Sequence, residues 1–227
     1  MFHLDGVAKE YGPPGQRVLA LQPTTLTIAA GEFVAVVGPS GSGKSTLLAI
    51  LGAMLAPSRG QVWFDGQSIY DLSLADRAAL RRRRIGFVFQ SFNLVPYLTA
   101  LENVQLPLLL NGVGPAQQRR RAFDLLEQFG LADRACHKPA QLSAGQQQRV
   151  ALARTLAPDP AVILADEPTG NLDPDTRQQV YDDFETLHRA GKTIVLVTHD
   201  PLAAQRAGRV LTLVQGRVEP CERRHSA

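Results

Sequence analysis

The sequence predicts an α/β protein with a mainly parallel sheet, an antiparallel β-subdomain and an inserted helical subdomain. Four short segments are almost continuously apolar, which is typical of parallel strands buried on both faces. They are Glu32–Gly38, Ile85–Gln90, Ala161–Glu167 and Thr193–His199. Helical patterns separate these segments, but residues 91–157 contain helices and loops without a convincing strand. We therefore expect a helical subdomain inserted into an α/β core.

Other segments mix polar and apolar residues and predict a half-exposed antiparallel sheet. They are His3–Tyr11, Leu26–Ile28 and Gln61–Gly66. Near the C-terminus, the segment RVLTLVQGRVEP predicts a hairpin that turns at Gln215-Gly216. These elements together form the predicted β-subdomain and one edge of the core.

Helical periodicity is strongest in five segments, namely 44–55, 73–84, 115–129, 146–156 and 175–189. In the third segment, Phe123, Leu126 and Phe129 fall at three-residue steps and predict its apolar face. We divide the chain into one core of residues 1–90 and 158–227 and a helical subdomain of residues 91–157. No internal repeat or flexible linker interrupts this single domain.

Composition excludes several classes of protein. The 227 residues are 44% hydrophobic and 20% charged, as in ordinary soluble globular proteins. The net charge of +3 is too small for a dedicated nucleic-acid binder, so no nucleic acid partner is expected. No apolar run is long enough to cross a bilayer, so a membrane function would require a partner. Cys136 and Cys221 lack zinc-like spacing and are interpreted as reduced cysteines of a cytosolic protein.

One glycine-rich loop carries the strongest chemical signal. GPSGSGKS matches G-x-x-x-x-G-K-[ST] and lies between a predicted strand and a predicted helix. Its glycines allow backbone N–H groups to surround a phosphate, and the following helix N-terminus favours the same anion. Lys44 would bind the β- and γ-phosphates, and Ser45 would bind Mg²⁺. The motif predicts a P-loop NTPase core with these nucleotide-binding residues: Gly38, Pro39, Ser40, Gly41, Ser42, Gly43, Lys44, Ser45 and Thr46. A simple glycine-rich turn is the alternative.

Two carboxylates end another buried strand in the segment VILADEP. Open α/β sheets bind ligands at the carboxyl ends of their strands, so Asp166 would reach the Mg²⁺ shell there. Glu167 would polarise the attacking water as a general base. The alternative is a carboxylate that only caps the next turn, which the neighbouring P-loop motif makes less favourable.

Further motifs give the chain a specific resemblance. LSAGQQQRVALARTLA begins at Leu142, TGNLD spans Thr169–Asp173, VTHD contains His199, and Gln90 follows GFVF. Together with the P-loop, they resemble the ATP-binding subunits of ABC transporters over nearly the whole chain and in the same order. The resemblance implies a Mg²⁺-dependent ATPase that converts ATP and water to ADP and phosphate and drives a separate membrane permease.

The resemblance also implies that one chain carries two incomplete half-sites. Ser143, Ala144, Gly145 and Gln146 would form the signature loop, which in this family contacts the γ-phosphate of ATP on the other subunit. A homodimer, or a pair with a close paralogue, is therefore expected. Ala144 departs from the usual glycine, and we expect a working site, with weaker contact to the partner's ATP as one possible consequence.

The remaining site residues follow from the same resemblance. Asp173 would lie at the dimer seam, and His199 would hold the γ-phosphate and orient the attack. Gln90 would contact Mg²⁺ or water and sense the membrane partner. Tyr11 resembles the aromatic residue that stacks on adenine, although ordinary packing is its alternative role.

The segments RRRRIGFVFQSFNLVPYLTALENVQLPL and DEPTGNLD are similar to the branch that serves macrolide exporters, lipoprotein release and antimicrobial-peptide systems. This similarity implies peripheral attachment at the cytoplasmic face of the inner membrane. Ser91–Leu98 is unusually apolar and predicts a groove for the permease, with subdomain core as the alternative. The basic runs Arg81–Arg84 and Arg119–Arg121 are interpreted first as solvated faces, and second as membrane or partner contacts.

Three other functions are alternatives to a transporter subunit, and the sequence argues against the first two. A soluble ABC ATPase acting on DNA or ribosomes would carry coiled-coil insertions or tandem cassettes, which this chain lacks. A small-molecule P-loop kinase would lack the signature loop and His199. A regulatory or cell-division scaffold would share every motif, and only its partner would distinguish it.

Overall fold

The computed structural model describes residues 1–13 and 15–219, which form two compact units. The described residues within Met1–Arg81 and Leu187–Ala227 belong to the first unit, and Arg82–Thr186 form the second. Cys221 and the end of the predicted hairpin at Pro220 lie outside the described residues. The division into a core and a subdomain of residues 91–157 stays a prediction.

Strands and helices alternate along most of the chain. The strands are β1 (Phe2–Tyr11), β2 (Val18–Ile28), β3 (Phe33–Val37), β4 (Arg59–Phe64), β5 (Gln67–Ser68), β6 (Ile85–Phe89), β7 (Val162–Asp166), β8 (Thr193–Val197), β9 (Arg209–Val214) and β10 (Arg217–Glu219). The helices are α1 (Lys44–Leu51), α2 (Leu74–Arg84), α3 (Ala100–Leu110), α4 (Pro115–Gln128), α5 (Ala144–Leu156), α6 (Pro174–Arg189) and α7 (Pro201–Arg206), with 3-10 turns at Ala132–Arg134 and Pro139–Gln141. None of the helices among residues 1–13 and 15–219 is long and apolar enough to cross a bilayer.

The first unit contains both kinds of sheet that the sequence predicts. Strand β1 lies between β2 and β4, and all its pairings are antiparallel. Strand β3 lies between β8 and β9 in parallel pairing, and its first four residues are buried, as a strand covered on both faces requires. The α/β prediction with parallel and antiparallel sheets is therefore confirmed.

The predicted hairpin is formed by β9 and β10, which pair antiparallel. Its two turn residues, Gln215 and Gly216, both have positive φ angles of 48° and 76°. This is the type I′ geometry that matches the right-handed twist of the flanking strands. The local sequence was therefore sufficient to place this turn.

The second unit contains the parallel pair β6 and β7 and the helices α3, α4 and α5. No strand occurs in residues 91–157, all of which the structure describes, as predicted. Helix α3 was not identified separately, although Thr99 and Glu102 form a capping box at its start. The short helix α7 was also not identified.

Three details of the helices differ from the prediction. Helix α1 ends at Leu51 instead of residue 55, because Gly52 caps it and Ala53 adopts a left-handed conformation. Helix α5 begins at Ala144, two residues early, because Ser143 caps its first turn. Phe123 is 41% exposed. The other two residues of the predicted apolar face, Leu126 and Phe129, are buried, and Gln118, Ala122 and Leu125 complete the buried face of α4.

Candidate functional site

The P-loop connects β3 to α1 in the first unit. Gly38, Gly41 and Gly43 all have positive φ, at 154°, 75° and 104°. A Cβ atom at Gly38 would collide with the carbonyl oxygen of Leu213, and one at Gly43 would collide with that of Ala20. Two of these glycines are therefore required by close backbone packing as well as by φ.

Lys44 is the first residue of α1 and is only 8% exposed. Its ammonium group donates to the carbonyl oxygens of Gly38 at 2.8 Å and Pro39 at 2.9 Å. These two bonds hold the charge inside the loop and use two of its three protons. The third proton can serve a phosphate oxygen, which fits the predicted role of this lysine.

The tertiary structure braces the P-loop through the β9–β10 hairpin. The amide of Gly216 donates to the carbonyl of Ser42 at 2.9 Å, and the carbonyl of Gly216 accepts from Gln22 at 2.7 Å. The hydroxyl of Ser42 is buried and has no hydrogen-bond partner among the described residues. Because a buried hydroxyl without a partner is costly, it is suited to a phosphate oxygen held in the loop.

The aromatic candidate Tyr11 ends β1 and is 44% exposed, opposite Val18 on β2. Val18 is also exposed, so Tyr11 and its cross-strand neighbour form a small apolar surface on one face of the sheet. On the same strand β2, Ala20 contacts the position of Gly43 in the P-loop. This neighbourhood supports base stacking beside the phosphates, although the role of Tyr11 stays a prediction.

His199 is exposed just after β8. The preceding residue, Thr198, is buried, and its amide donates to the carbonyl of Val36 at 3.1 Å. Val36 lies at the end of β3, two residues before the P-loop. The fold therefore holds His199 next to the strand that carries the P-loop, as its predicted contact with the γ-phosphate requires.

In the second unit, parallel pairing aligns the ends of β6 and β7. Phe89 pairs with Asp166, so Gln90 and Glu167 follow at neighbouring positions of the same sheet edge. Glu167 has a φ of 46°, a left-handed conformation that is uncommon for a residue with a side chain. Strain of this kind clusters at functional sites, which supports the predicted catalytic role of Glu167.

Gln90 is held by Asn171, a residue for which the sequence motifs predicted no role. The side-chain amide of Gln90 donates to Oδ1 of Asn171 at 3.3 Å, and Nδ2 of Asn171 donates to the carbonyl of Gln90 at 3.1 Å. A Cβ atom at Gly170 would lie 2.6 Å from Nε2 of Gln90. The TGNLD motif therefore supplies both the space and the partner for this glutamine.

Asp173 begins helix α6 and has a structural role of its own. Its carboxylate accepts from the hydroxyl and from the amide of Thr176, the latter at 3.0 Å, and these bonds lower the pKa of the carboxyl group. The side chain is therefore an N-cap. The predicted position of Asp173 at a dimer seam is not excluded by this role and stays a prediction.

The predicted signature loop forms the first turn of α5. Ser143 and Gln146 make a capping box, with Oγ of Ser143 accepting from the amide of Gln146 and Oε1 of Gln146 accepting from the amide of Ser143. Ala144 is exposed within the helix and does not have a positive φ, so its methyl group fits without strain. Gly145 is buried, and a Cβ atom there would collide with Cγ2 of Thr176.

These groups fit a nucleoside triphosphate and a magnesium ion. The P-loop offers glycine backbone, an ammonium group and a buried unpaired hydroxyl, which is the donor set that phosphates prefer. No cluster of three or more His, Cys, Asp or Glu residues that could hold a metal ion occurs within residues 1–13 and 15–219. Magnesium usually keeps water and phosphate oxygens among its ligands, and the predicted protein ligands Ser45, Gln90 and Asp166 stay a prediction.

Comparisons with known proteins identify the family of this chain. Residues 21–170 match the family model described as ABC transporter. The chain is 48% identical over 224 residues to an uncharacterized ABC transporter ATP-binding protein of Thermotoga maritima, covering 99% of this chain and 96% of the relative. It is 49% identical over 219 residues to macrolide export ATP-binding/permease protein MacB 1/2 of Paracoccus denitrificans, covering 96% of this chain and 33% of that protein. The chain thus spans about a third of the length of this exporter.

A solved structure resembles the whole chain. The ATP-binding cassette MJ0796, in a dimeric post-hydrolysis state bound to ADP and phosphate, superposes with a TM-score of 0.92 and 44% sequence identity, with both chains fully covered. Together with the P-loop geometry and the family match, this similarity identifies the reaction. The chain belongs to the ABC transporter family, as an ATP-binding cassette that binds and hydrolyses ATP with Mg²⁺.

Proposed function

We propose that this chain acts as one half of a cassette dimer that drives a membrane permease. The single observation that carries this proposal is that one chain contains both a P-loop and a capped turn with the signature residues. The P-loop occupies the start of α1, and the capped first turn of α5 carries the signature residues. A second copy, or a close paralogue, would place its signature turn against ATP on the first.

The site residues would divide the work of hydrolysis. Lys44 and the P-loop amides hold the β- and γ-phosphates, while Ser45 and Asp166 bind the magnesium ion with its water. Glu167 acts as general base, His199 orients the γ-phosphate, and Gln90 contacts the metal or the water. Catalysis of this kind is mainly positioning and charge stabilisation, since the phosphoryl transition state is loose.

Dimer formation is supported by the structural relative MJ0796, which is a dimeric cassette. The capping box fixes the signature turn before any partner arrives, so little ordering is required on association. The outward position of Ala144 fits a working contact, because the capping box uses the amides of Ser143 and Gln146 and Ala144 adds only a small methyl group.

Permease binding is proposed for the loop Ser91–Leu98, which we call the docking loop. None of its residues is fully buried, and the aromatic ring of Tyr97 is 81% exposed. An exposed aromatic residue on a well-supported loop is typical of a protein contact. The partial burial of Phe92, Leu94 and Leu98 means that part of the loop also contributes to the local core.

The proposed transport direction and location are supported by the names of the relatives. Several are named macrolide export ATP-binding/permease proteins, which supports export or mechanical transmission of macrolide, peptide or lipoprotein cargo. The same relationship supports a peripheral subunit at the cytoplasmic face of the inner membrane. A regulatory or ribosome-associated ATPase is the alternative function.

The first experiment traps the ATP-bound dimer with Glu167→Gln and identifies what co-purifies from gently solubilised membranes. We expect a stoichiometric membrane protein with few spans and a large external domain in the presence of ATP. The control is the double variant with Lys44→Ala, which should lose the partner together with ATP. Recovery of only soluble or ribosomal proteins would favour the alternative function.

A second experiment tests the docking loop directly. Replacing Tyr97 by Ser should leave ATP binding intact and abolish stimulation of ATPase activity by the co-purified permease. Replacing Phe92 by a polar residue should act in the same direction. Leu74→Ser is a matched control, since Leu74 is 77% exposed outside the loop. Normal stimulation in the Tyr97 variant would exclude this docking surface.

A further inference from the structure

Two consecutive residues of the docking loop adopt left-handed conformations. Phe92 and Asn93 have φ angles of 56° and 49°. Asparagine tolerates this region, but it is rare for a bulky residue such as phenylalanine, and two in succession require support from the surrounding structure. The support must come from elsewhere, because the loop contains no glycine.

One arginine of helix α5 provides this support. The guanidinium of Arg154 donates to the carbonyl oxygen of Asn93 at 2.5 Å and to that of Phe92 at 2.7 Å. Both bonds are charge-assisted, and the planar fork of arginine fits two neighbouring carbonyl groups. The guanidinium is largely withdrawn from water, and this burial lowers its pKa.

Arg154 belongs to the same helix as the signature turn. Between them, Val150, Ala151, Leu152 and Ala153 are all fully buried, so α5 is a well-packed element from Ala144 to Leu156. We expect a displacement of the first turn of such a helix to reach its other end, because close-packed interiors have low compressibility and transmit strain.

The other end of the docking loop is fixed to helix α3. Asn103 is fully buried, and its Oδ1 accepts from the amide of Val95 at 2.8 Å. Its Nδ2 donates to the carbonyl oxygens of Val95, Leu98 and Thr99. The loop is therefore anchored by two side chains, one from α3 and one from α5.

We propose that Arg154 is a positioning residue that makes the docking loop move together with the signature turn. It holds the left-handed pair Phe92 and Asn93 and thereby transmits a displacement of α5 to the surface that carries Tyr97. This inference rests on the proposed function, in which that loop receives the permease and the first turn of α5 contacts the partner's ATP.

The experiment measures backbone hydrogen exchange in the full chain that carries Glu167→Gln, with and without ATP. In the parent, ATP-driven dimerisation should slow exchange in residues 144–148 and also change it in residues 92–98. Arg154→Lys keeps the positive charge but lacks the fork. We expect exchange in residues 92–98 to become about tenfold faster and insensitive to ATP, while residues 144–148 still respond.

Two further variants separate positioning from general stability. Arg149→Lys is the matched control, because Arg149 lies on the same helix and donates instead to the carbonyl of Phe129. It should leave residues 92–98 unchanged. Asn93→Gly should reduce the effect of Arg154→Lys, because glycine adopts the left-handed conformation without support.

Each result bears on the proposal. Unchanged exchange in residues 92–98 of Arg154→Lys, or equal acceleration throughout α3 and α4, would overturn it. Lack of rescue by Asn93→Gly would also contradict the support of the left-handed pair. Failure of the proposed function is distinguishable, since the parent itself would then form no dimer with ATP and residues 144–148 would not respond.

Discussion

The P-loop and the docking loop both contain residues with positive φ, but they are held in different ways. The P-loop uses glycine wherever φ is positive, at Gly38, Gly41 and Gly43. The docking loop places Phe92 and Asn93 in the left-handed region and depends on Arg154 to keep them there.

The difference shows what each loop must do. The glycines of the P-loop adopt positive φ without support from another side chain, although backbone contacts of the β9–β10 hairpin also brace the loop. The docking loop is held by a side chain of helix α5, so its shape depends on the position of that helix. Such a conditional loop is suited to communication between sites, because its conformation reports a tertiary contact.

The largest expected effect is a loss of ATP affinity caused by a substitution in the P-loop. Gly43→Ala should lower ATP affinity at least about 100-fold, because the added Cβ meets the carbonyl of Ala20 and φ is 104°. Gly41→Ala is the matched control, since nothing lies within 4 Å of the position. We expect only about a tenfold loss there from backbone strain. Equal losses measured by nucleotide titration would remove the distinction between packing and strain.

A second prediction concerns the signature turn, which is held by both local capping and tertiary packing. Gly145→Ala should reduce ATP-dependent dimer formation about tenfold, because its Cβ would collide with Cγ2 of Thr176. Adding Thr176→Ser removes that methyl group, keeps the hydroxyl for Asp173, and should restore most of the dimer by size-exclusion chromatography.

Ala144→Gly provides the comparison within the same turn. Ala144 is exposed and helical, so this change should alter stability by about 1 kcal/mol at most and leave turnover within about twofold. A large gain in turnover would mean that the methyl group of Ala144 weakens the contact with the partner's ATP.

An effect somewhat smaller than that of Gly145→Ala is expected where Asn171 holds Gln90. Asn171→Ala removes two hydrogen bonds and should lower kcat about three- to tenfold with KM nearly unchanged. Asn171→Asp keeps the acceptor for the Gln90 side chain and loses the donor, so its kcat should be intermediate. A change in KM alone would show that Asn171 acts on nucleotide binding instead of on Gln90.

The smallest effect is a pH dependence in helix α6. Burial raises the pKa of Asp183 to about 6, against the attraction of Arg149, while Asp182 adds to the increase. The folded state therefore binds this proton more tightly than the unfolded chain, and stability decreases as the pH rises from about 4 to about 6. Allowing for partial exposure, Asp183→Asn should remove about 1 kcal/mol of this decrease in denaturant titrations at pH 4.5 and pH 7.5. An equal decrease in the unfolding free energy of the variant would contradict the assignment.

Motifs with local chemistry were predictable in detail. The P-loop, the strand that ends in Asp166 and the Gln215-Gly216 turn all depend on residue types within a few positions, such as glycine for positive φ and apolar runs for buried strands. Helix boundaries were less accurate, since the end of α1 depends on a left-handed Ala53 that no local preference indicates.

The sequence by itself determined the family, the ATP chemistry and the order of the strands and helices, because these depend on short motifs and on hydrophobic periodicity. The tertiary structure decided which distant residues hold the loops and the predicted site residues in place. Three sets of hydrogen bonds join residues that are far apart in the chain. They connect Arg154 with Phe92 and Asn93, Asn171 with Gln90, and Gly216 with Ser42. Hydrogen bonds of this kind depend on where the fold brings a donor and a carbonyl together, which residue types alone do not specify.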